Sequence, residues 1–247
     1  MTRRNELIPH KNDLLKALAV NELTITAQFT QSSNYTFLAQ VGKSRNSFPA
    51  VYKPQSGEAP LWDFPKGTLC QREVAAFLIS EALGWDLVPP TVFREQAPLG
   101  KGALQLFVKH DPQLHYFSFD EATRQRLKPA VLFDLIVNNA DRKSGHVLLD
   151  DQNHLWLIDH GTCFHQEFKL RSVIWEFAGQ NIPLNLKADI RKLAETLAGN
   201  NMLKGDLSCL ISGQEICVLQ TRIKILLQLS SFPYPEKNRR TIPWPPI

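Results

Sequence analysis

Residues 138–150, NNADRKSGHVLLD, place charged side chains between two apolar runs. Asp141, Lys143 and His146 all lie in this stretch. The run before it, AVLFDLIV, predicts a buried helix, and the run after it predicts a short strand. A carboxylate, an ammonium group and an imidazole at such a junction could accept a proton, neutralise an anion or bind a metal.

Three further residues could belong to the same chemistry. Asp159 ends the apolar strand HLWLID and is followed by His-Gly, which would direct a carboxylate into a cleft, although a turn-capping aspartate has the same pattern. Lys53 lies among apolar residues in the strand VYKP, where its charge is costly unless an anion meets it. A strand-edge lysine that points to solvent remains the alternative. Glu73 lies in the next helix, and taken alone it favours a solvent-facing charge.

The elements that must position these residues change in character along the chain. Before residue 110 the alternation of apolar residues predicts about five strands. One amphipathic helix, LCQREVAAFLISEALGW, should pack on them through an apolar face. That face is formed by Val74, Phe77, Leu78, Ala82 and Leu83.

The second half of the chain is largely helical. The segments 120–141, 186–199 and 212–231 predict helices, and Pro129 could mark a break within the first of them. Two short strands, VLLD and HLWLID, lie between. We therefore expect an α+β fold of two lobes: a strand-rich N-lobe at 24–110, a helical C-lobe at 111–232 and a tail at 233–247. Together they would form one domain, residues 1–247, with a cleft between the lobes.

Composition excludes several classes of protein. The apolar fraction of 43% and the charged fraction of 21% are ordinary for a globular protein, and a net charge of +4 is too slight to indicate nucleic acid as a partner. Four cysteines without CxxC spacing argue against a zinc site and a disulfide framework, and they fit a reducing cytoplasm. No apolar run reaches the roughly 18 residues of a membrane span, and no signal-peptide core follows the N-terminus.

The order of the candidate residues resembles the protein-kinase-like superfamily. A strand lysine is followed by a helix glutamate, a loop aspartate and an Asp-x-Gly motif, DHG at 159–161. The pattern is more similar to the phosphatidylinositol 3-/4-kinases and the HipA-type kinases, whose catalytic loop reads Asp-Arg-His-x-x-Asn where this chain has DRKSGH. The chain also resembles a small, uncharacterised bacterial family that is phosphatidylinositol-kinase-like. The segments that carry this likeness are SSNYTFLAQV, VYKP, LCQREVAAFLIS, NNADRKSGH and IDHGTCFH. That likeness runs from about residue 30 to residue 183.

The resemblance implies a protein-kinase-like fold and an ATP-dependent kinase that uses Mg²⁺ or Mn²⁺. Asp141 would accept or orient the hydroxyl of the acceptor, and Lys143 would neutralise the transferred phosphoryl group. Asp159 and His146 would bind the metal. The acceptor, a small molecule or a protein, is not identified, and a lipid gains no separate support.

The resemblance also assigns residues to the nucleotide. Lys53 would pair with the α- and β-phosphates and would be held by Glu73. The turn Ser32, Ser33 and Asn34 would cover the phosphates with backbone N–H groups. Phe107 and Val108 lie in the segment LQLFVKH, which would carry the hinge that meets adenine.

The chain departs from its relatives at three points. The turn over the phosphates has no glycine. Lys143 replaces their histidine, and His146 replaces their metal-binding asparagine, although imidazole is a poorer Mg²⁺ ligand than an oxygen. A pseudokinase that binds nucleotide without efficient transfer, or a transferase of AMP, therefore stays open. The loop at 55–68 is equally compatible with a packed surface loop and with a lid.

Overall fold

The fold is described by a computed structural model for residues 11–30, 33–43 and 47–247, so Ser32 lies outside the described residues. Within these ranges the chain forms seven α-helices, one five-stranded antiparallel sheet and one two-stranded sheet. The predicted α+β class is confirmed. The chain divides into two compact units, residues 1–59 with 90–107 and residues 60–89 with 108–247.

The first unit is a helix and a sheet. Helix α1 is Lys11–Val20, and the strands are β1 Leu23–Phe29, β2 Thr36–Val41, β3 Phe48–Pro54, β4 Thr91–Arg94 and β5 Gly102–Leu106. The sheet order is β1-β2-β3-β5-β4, and all neighbours are antiparallel. The five strands are those that the alternating sequence pattern predicted.

The two faces of β3 differ. Ala50 and Tyr52 are fully buried in a core with Leu18 and Leu104, whereas Lys53 is only partly buried. Because successive side chains of a strand point to opposite faces, Lys53 lies on the face opposite that core.

A glycine in β5 sets the backbone beside Lys53. Gly102 pairs with Pro54, and a Cβ added to Gly102 would lie 2.4 Å from the Lys53 carbonyl oxygen. That separation is far below van der Waals contact, so a residue without a side chain is needed where the two strands approach.

The second unit contains the remaining elements. They are α2 Leu69–Leu83, α3 Glu121–Gln125, α4 Lys128–Val137, β6 Val147–Leu149, β7 Leu155–Leu157, α5 Leu184–Ala198, α6 Met202–Ser208 and α7 Gly213–Gln228. Pro129 lies in the first turn of α4, where it needs no N–H partner, and it separates α3 from α4 as predicted. A capping box of Ser212 and Glu215 begins α7.

Helix α2 is buried on nearly every side, and its predicted amphipathic character is wrong. Val74 and Phe77 are buried, but Leu78 is only half-buried and Ala82 is exposed. Arg72 and Glu73 are 1% and 3% exposed, so the solvent-facing alternative for Glu73 is also wrong. The buried charge of Arg72 is compensated by its partners. Arg72 Nη2 lies 2.6 Å from Glu215 Oε1, and Arg72 Nη1 donates a hydrogen bond to the Cys163 carbonyl.

Part of the loop that precedes α2 is anchored. The Asp63 carboxylate lies 2.8 Å from Lys169 Nζ, and Phe64 packs edge-on against His165. Trp62, in contrast, is 93% exposed. Residues 63 and 64 therefore favour the packed-loop interpretation. In the described part of the chain, no helix is both long and apolar enough to cross a membrane.

Candidate active site

A buried ion pair forms the frame of the loop that follows α4. Asp134 and Arg142 are 1% and 0% exposed, and they pair through two parallel hydrogen bonds, Nε to Oδ2 and Nη2 to Oδ1, both 2.9 Å long. The last turn of α4 presents Asp134, and the helix ends at Asn138 in the left-handed conformation (φ 56°). The turn at Asn138 allows the chain to return toward Asp134 within a few residues.

Arg142 uses all of its donors. Beyond Asp134, Nη1 donates to the carbonyls of His146 (3.1 Å) and Ile158 (2.9 Å), and Nη2 lies 2.8 Å from His160 Nε2. The guanidinium therefore joins α4, the loop and the DHG motif. Arg142 is therefore a structural residue that pairs with a buried carboxylate.

Glu73 connects α2 to the DHG motif. Its Oε2 accepts a hydrogen bond from the backbone N–H of His160 at 2.9 Å, and His160 Nδ1 lies 3.9 Å from the same oxygen. His160 is fully buried, and its ring meets Phe133 edge-on. His160 is thus a packing residue, and the glutamate helps to fix the backbone next to Asp159.

Asp141 lies beside a lysine. Its Oδ2 is 3.5 Å from Lys143 Nζ, and its backbone N–H donates to the Asn139 side-chain oxygen. Burial raises the pKa of Asp141 to about 6, with Lys143 opposing the rise and the charge of Asp159 adding to it. Near pH 7 the group is mostly ionised and has the basicity of a working proton acceptor.

His146 lies against Asp159. Asp159 has a left-handed backbone (φ 64°) and a half-exposed side chain, and its Oδ2 lies 3.3 Å from His146 Nε2. His146 Nδ1 accepts a long hydrogen bond, 3.4 Å, from the Lys143 N–H. A neutral ring with this arrangement carries its proton on Nε2 and donates it to Asp159.

The donor set suits a hard cation. Asp141 and Asp159 are oxygen donors close enough for the charge of one to raise the pKa of the other, and a divalent ion would relieve that repulsion. In residues 11–30, 33–43 and 47–247, however, no three His, Cys, Asp or Glu side chains converge as a complete ligand set. Mg²⁺ usually keeps few protein ligands and takes the rest from water and phosphates, so the residues fit it.

The remaining predicted residues have other positions. Lys53 is on β3 of the first unit, and the Ser33–Asn34 turn precedes β2. The Asn34 side chain accepts a 2.7 Å hydrogen bond from the Ala59 N–H, which fixes that turn. The chain passes from one unit to the other between Phe107 and Val108. Their nucleotide roles stay predictions.

The residues that hold the loop are only partly apparent from the sequence. Asp134 lies within a run that predicts an apolar helix, but a carboxylate within FDLIV indicates that a buried cation lies near it. The partner of Arg72 had no such signal, because Glu215 is 143 residues away in the sequence.

Two comparisons of the sequence identify the family of this chain. The family model for phosphatidylinositol 3- and 4-kinase matches residues 74–208. Protein Rv2133c of Mycobacterium tuberculosis is 37% identical over 270 aligned positions, which cover 95% of this chain and 96% of that protein.

One of two similar solved structures supports the fold. Fam20 from hydra, in a structure described as containing a sugar, superposes with a TM-score of 0.53 at 13% identity over 87% of this chain and 86% of that one. The proinflammatory kinase CtkA of Helicobacter pylori has a TM-score of 0.48 at 13% identity, over 86% of this chain and 98% of that one. The protein-kinase-like fold is confirmed, and the chain belongs to the phosphatidylinositol 3- and 4-kinase family.

Proposed function

We propose that this chain is an ATP- and divalent-metal-dependent phosphotransferase whose acceptor carries a hydroxyl group. The observation that carries the proposal is the group formed by Asp141, Lys143 and Asp159. A carboxylate with a pKa of about 6 has a lysine 3.5 Å away and a second, half-exposed carboxylate within electrostatic range. Phosphoryl transfer needs such placed charges more than it needs covalent chemistry.

On the acceptor side, Asp141 orients the hydroxyl and takes its proton. The Lys143 ammonium, which pairs with Asp141 at 3.5 Å, offsets negative charge on the phosphoryl group. The Arg142 guanidinium is buried and already hydrogen-bonded, so its role is to hold the loop in place. The acceptor would be a small molecule or a protein.

On the nucleotide side, Lys53 pairs with phosphate oxygens and Glu73 supports it. Asp159, with His146 beside it, holds the metal. The metal that these residues would hold would supply positive charge beside the phosphates. Glu73 also accepts the His160 N–H, so its carboxylate supports the backbone that orients Asp159. Backbone N–H groups of the turn at Ser33 and Asn34 would cover the phosphates, and Phe107 and Val108 would meet adenine.

A second candidate, nucleotide binding without efficient transfer, is favoured by one observation. In the described contacts both nitrogens of His146 are engaged, Nδ1 by the Lys143 N–H and Nε2 by Asp159. A ring held in this way offers no lone pair to a second metal ion. Transfer would then depend on one metal position or on reorientation of the ring.

The nucleotide is tested first. Millimolar ATP with Mg²⁺ or Mn²⁺ should raise the melting temperature by mass action, and Asp159→Ala should abolish that metal-dependent rise. Asp151→Ala is the matched control, because Asp151 is an exposed aspartate paired with the exposed Lys109. Absence of any rise with either metal, in folded protein, would contradict the proposal.

The reaction products distinguish phosphoryl transfer, AMP transfer and nucleotide binding without transfer. Phosphorus NMR of an incubation with ATP should show ADP and a phosphorylated product or free phosphate for phosphoryl transfer, and pyrophosphate for transfer of AMP. Intact ATP under conditions of proven binding would favour the pseudokinase.

The role of His146 is tested by its replacement with the asparagine of the relatives. If imidazole is a metal ligand, the parent should prefer Mn²⁺ and His146→Asn should shift the preference toward Mg²⁺. An unchanged preference with full activity in His146→Ala would make this residue a bystander.

A further inference from the structure

The tail segment, residues 239–246, contacts the loop that contains Asp141. The carbonyl oxygen of Pro246 accepts a 2.9 Å hydrogen bond from the backbone N–H of Ser144. Ser144 is fully buried and begins the short 3-10 turn Ser144–His146. The first N–H groups of a helical turn have no partner within it, so Pro246 satisfies a donor that burial removes from water.

The same segment also contacts the chain that flanks Arg142. The carbonyl of Thr241 accepts a hydrogen bond from the Ser172 N–H at 2.9 Å and from the Trp175 indole N–H at 3.3 Å. The neighbours of Ser172 pair with Arg142 through its backbone: Arg142 donates to Arg171, and Val173 donates to Arg142. The tail segment therefore extends one layer of backbone hydrogen bonds that begins at the buried arginine.

Arg239 attaches the other end of the tail segment. Its guanidinium lies over the Phe168 ring, 4.4 Å from the centroid, and it donates to the carbonyls of Phe168 and Leu170. Pro243, in the middle, is buried. Contacts at both ends and in the middle distinguish the segment from a loose extension, and its prolines restrict the backbone between them.

We infer that the tail segment is a positioning element of the active site, which fixes the Asp141–His146 loop through the Pro246 carbonyl. The inference rests on the proposed function for its effect on transfer, but the fixing of the loop is independent of it. Ser144 directly follows Lys143, which faces both Asp141 and His146. Loss of the hydrogen bond to the Ser144 N–H should make the loop backbone more mobile, and this backbone sets the positions of Asp141, Lys143 and His146. The transfer rate should then fall, because it depends on how accurately the reacting groups are placed.

Two shortened forms of the chain test this. One ends at Trp244 and lacks the Pro246 carbonyl; the control ends at Pro246 and loses only Ile247, which is 65% exposed. Hydrogen exchange of the peptide that covers residues 142–147 should accelerate about tenfold or more in the first form and remain unchanged in the control. Exchange in α7 should be the same in both forms, which excludes general unfolding.

Kinetics supply the second measurement. With ATP and metal, the form that ends at Trp244 should lose about tenfold or more in kcat with an unchanged KM for ATP, because the described contacts of the segment include Ser144 of the loop but none of the residues assigned to ATP. Unchanged exchange at 142–147 overturns the inference, and so does accelerated exchange with unchanged kcat. If the full chain binds ATP but transfers nothing, the proposed function fails, and exchange alone decides whether the segment fixes the loop.

Discussion

Replacing Asp134 by asparagine should destabilise the chain by about 3–5 kcal/mol, the usual cost of leaving one partner of a buried pair uncompensated. The substitution keeps the shape of the side chain and removes its charge. Arg142 then remains buried, at 0% exposure, and keeps the carbonyls of His146 and Ile158, the ring of His160 and one amide oxygen as acceptors. The carboxylate charge is gone, and one N–H group of the guanidinium faces an amide NH₂ group instead of an acceptor. A domain is stable by about 5–15 kcal/mol in total, so the loss is a large share.

Urea denaturation followed by circular dichroism measures this loss. With a slope of about 2–3 kcal/mol/M for a chain of this size, a loss of about 4 kcal/mol lowers the midpoint by roughly 1.5 M. Asp151→Asn is the control, because Asp151 and Lys109 pair at 2.8 Å with side chains that are 65% and 83% exposed. That exposed pair should contribute less than about 1 kcal/mol.

Ionic strength also distinguishes the buried pair of Asp134 from the exposed pair of Asp151. Exposed charges are screened at high ionic strength, whereas a buried pair is screened much less. The effect of Asp134→Asn should therefore persist in about 0.5 M NaCl, and any effect of Asp151→Asn should shrink. A loss below about 1 kcal/mol for Asp134→Asn, or one that disappears in salt, would refute the view that this pair frames the loop.

Three other residues, Asp141, Gly102 and Asp159, give further testable predictions. Burial raises the pKa of Asp141 from its ordinary value near 3.8 to about 6, so the unfolded chain ionises there before the folded chain does. The stability of the parent should therefore fall as the pH rises from about 4 to about 6, and Asp141→Asn should gain stability relative to the parent over that range; urea midpoints that move in parallel would contradict this. The parent's transfer activity should also fall below about pH 6, as a pH–rate profile would show. Gly102→Ala should weaken the ATP-induced thermal shift by displacing the Lys53 backbone, whereas Gly205→Ala, where an added Cβ meets nothing within 4 Å, should not. Asp159→Gly and Asp159→Ala should both abolish metal-dependent binding, but the glycine form should be about 1 kcal/mol more stable in thermal melts, because Asp159 has φ 64°.

The sequence predicted those features that depend on local pattern. Alternation identified all five strands of the first unit, and Pro129 marked the junction of α3 and α4. Helix α6 was missed, since its sequence MLKGDLS is short and contains a glycine. The spacing of charged residues also located the Asp141–His146 loop and Asp159.

Features that depend on distant partners were not predictable. The pattern in α2 suggested one apolar face, yet the helix buries Arg72 because Glu215 lies 143 residues away and neutralises it. The contact of Glu73 with the DHG backbone spans 87 residues. Periodicity predicts which side of a helix is apolar. It does not predict which charged residue, distant in the sequence, will pair with a charge on that helix.

The buried arginine also has a consequence for the order in which the chain folds. Its side-chain contacts reach back 8 residues to Asp134 and forward 18 residues to His160. Closure of such short loops is entropically cheap and fast, so the loop and the DHG motif can assemble as soon as residue 160 has left the ribosome. The tail segment is synthesised about 80 residues later, several seconds at ordinary translation rates. The emerging protein therefore has an interval in which its central loop is formed but the Ser144 amide still lacks the carbonyl that will complete it.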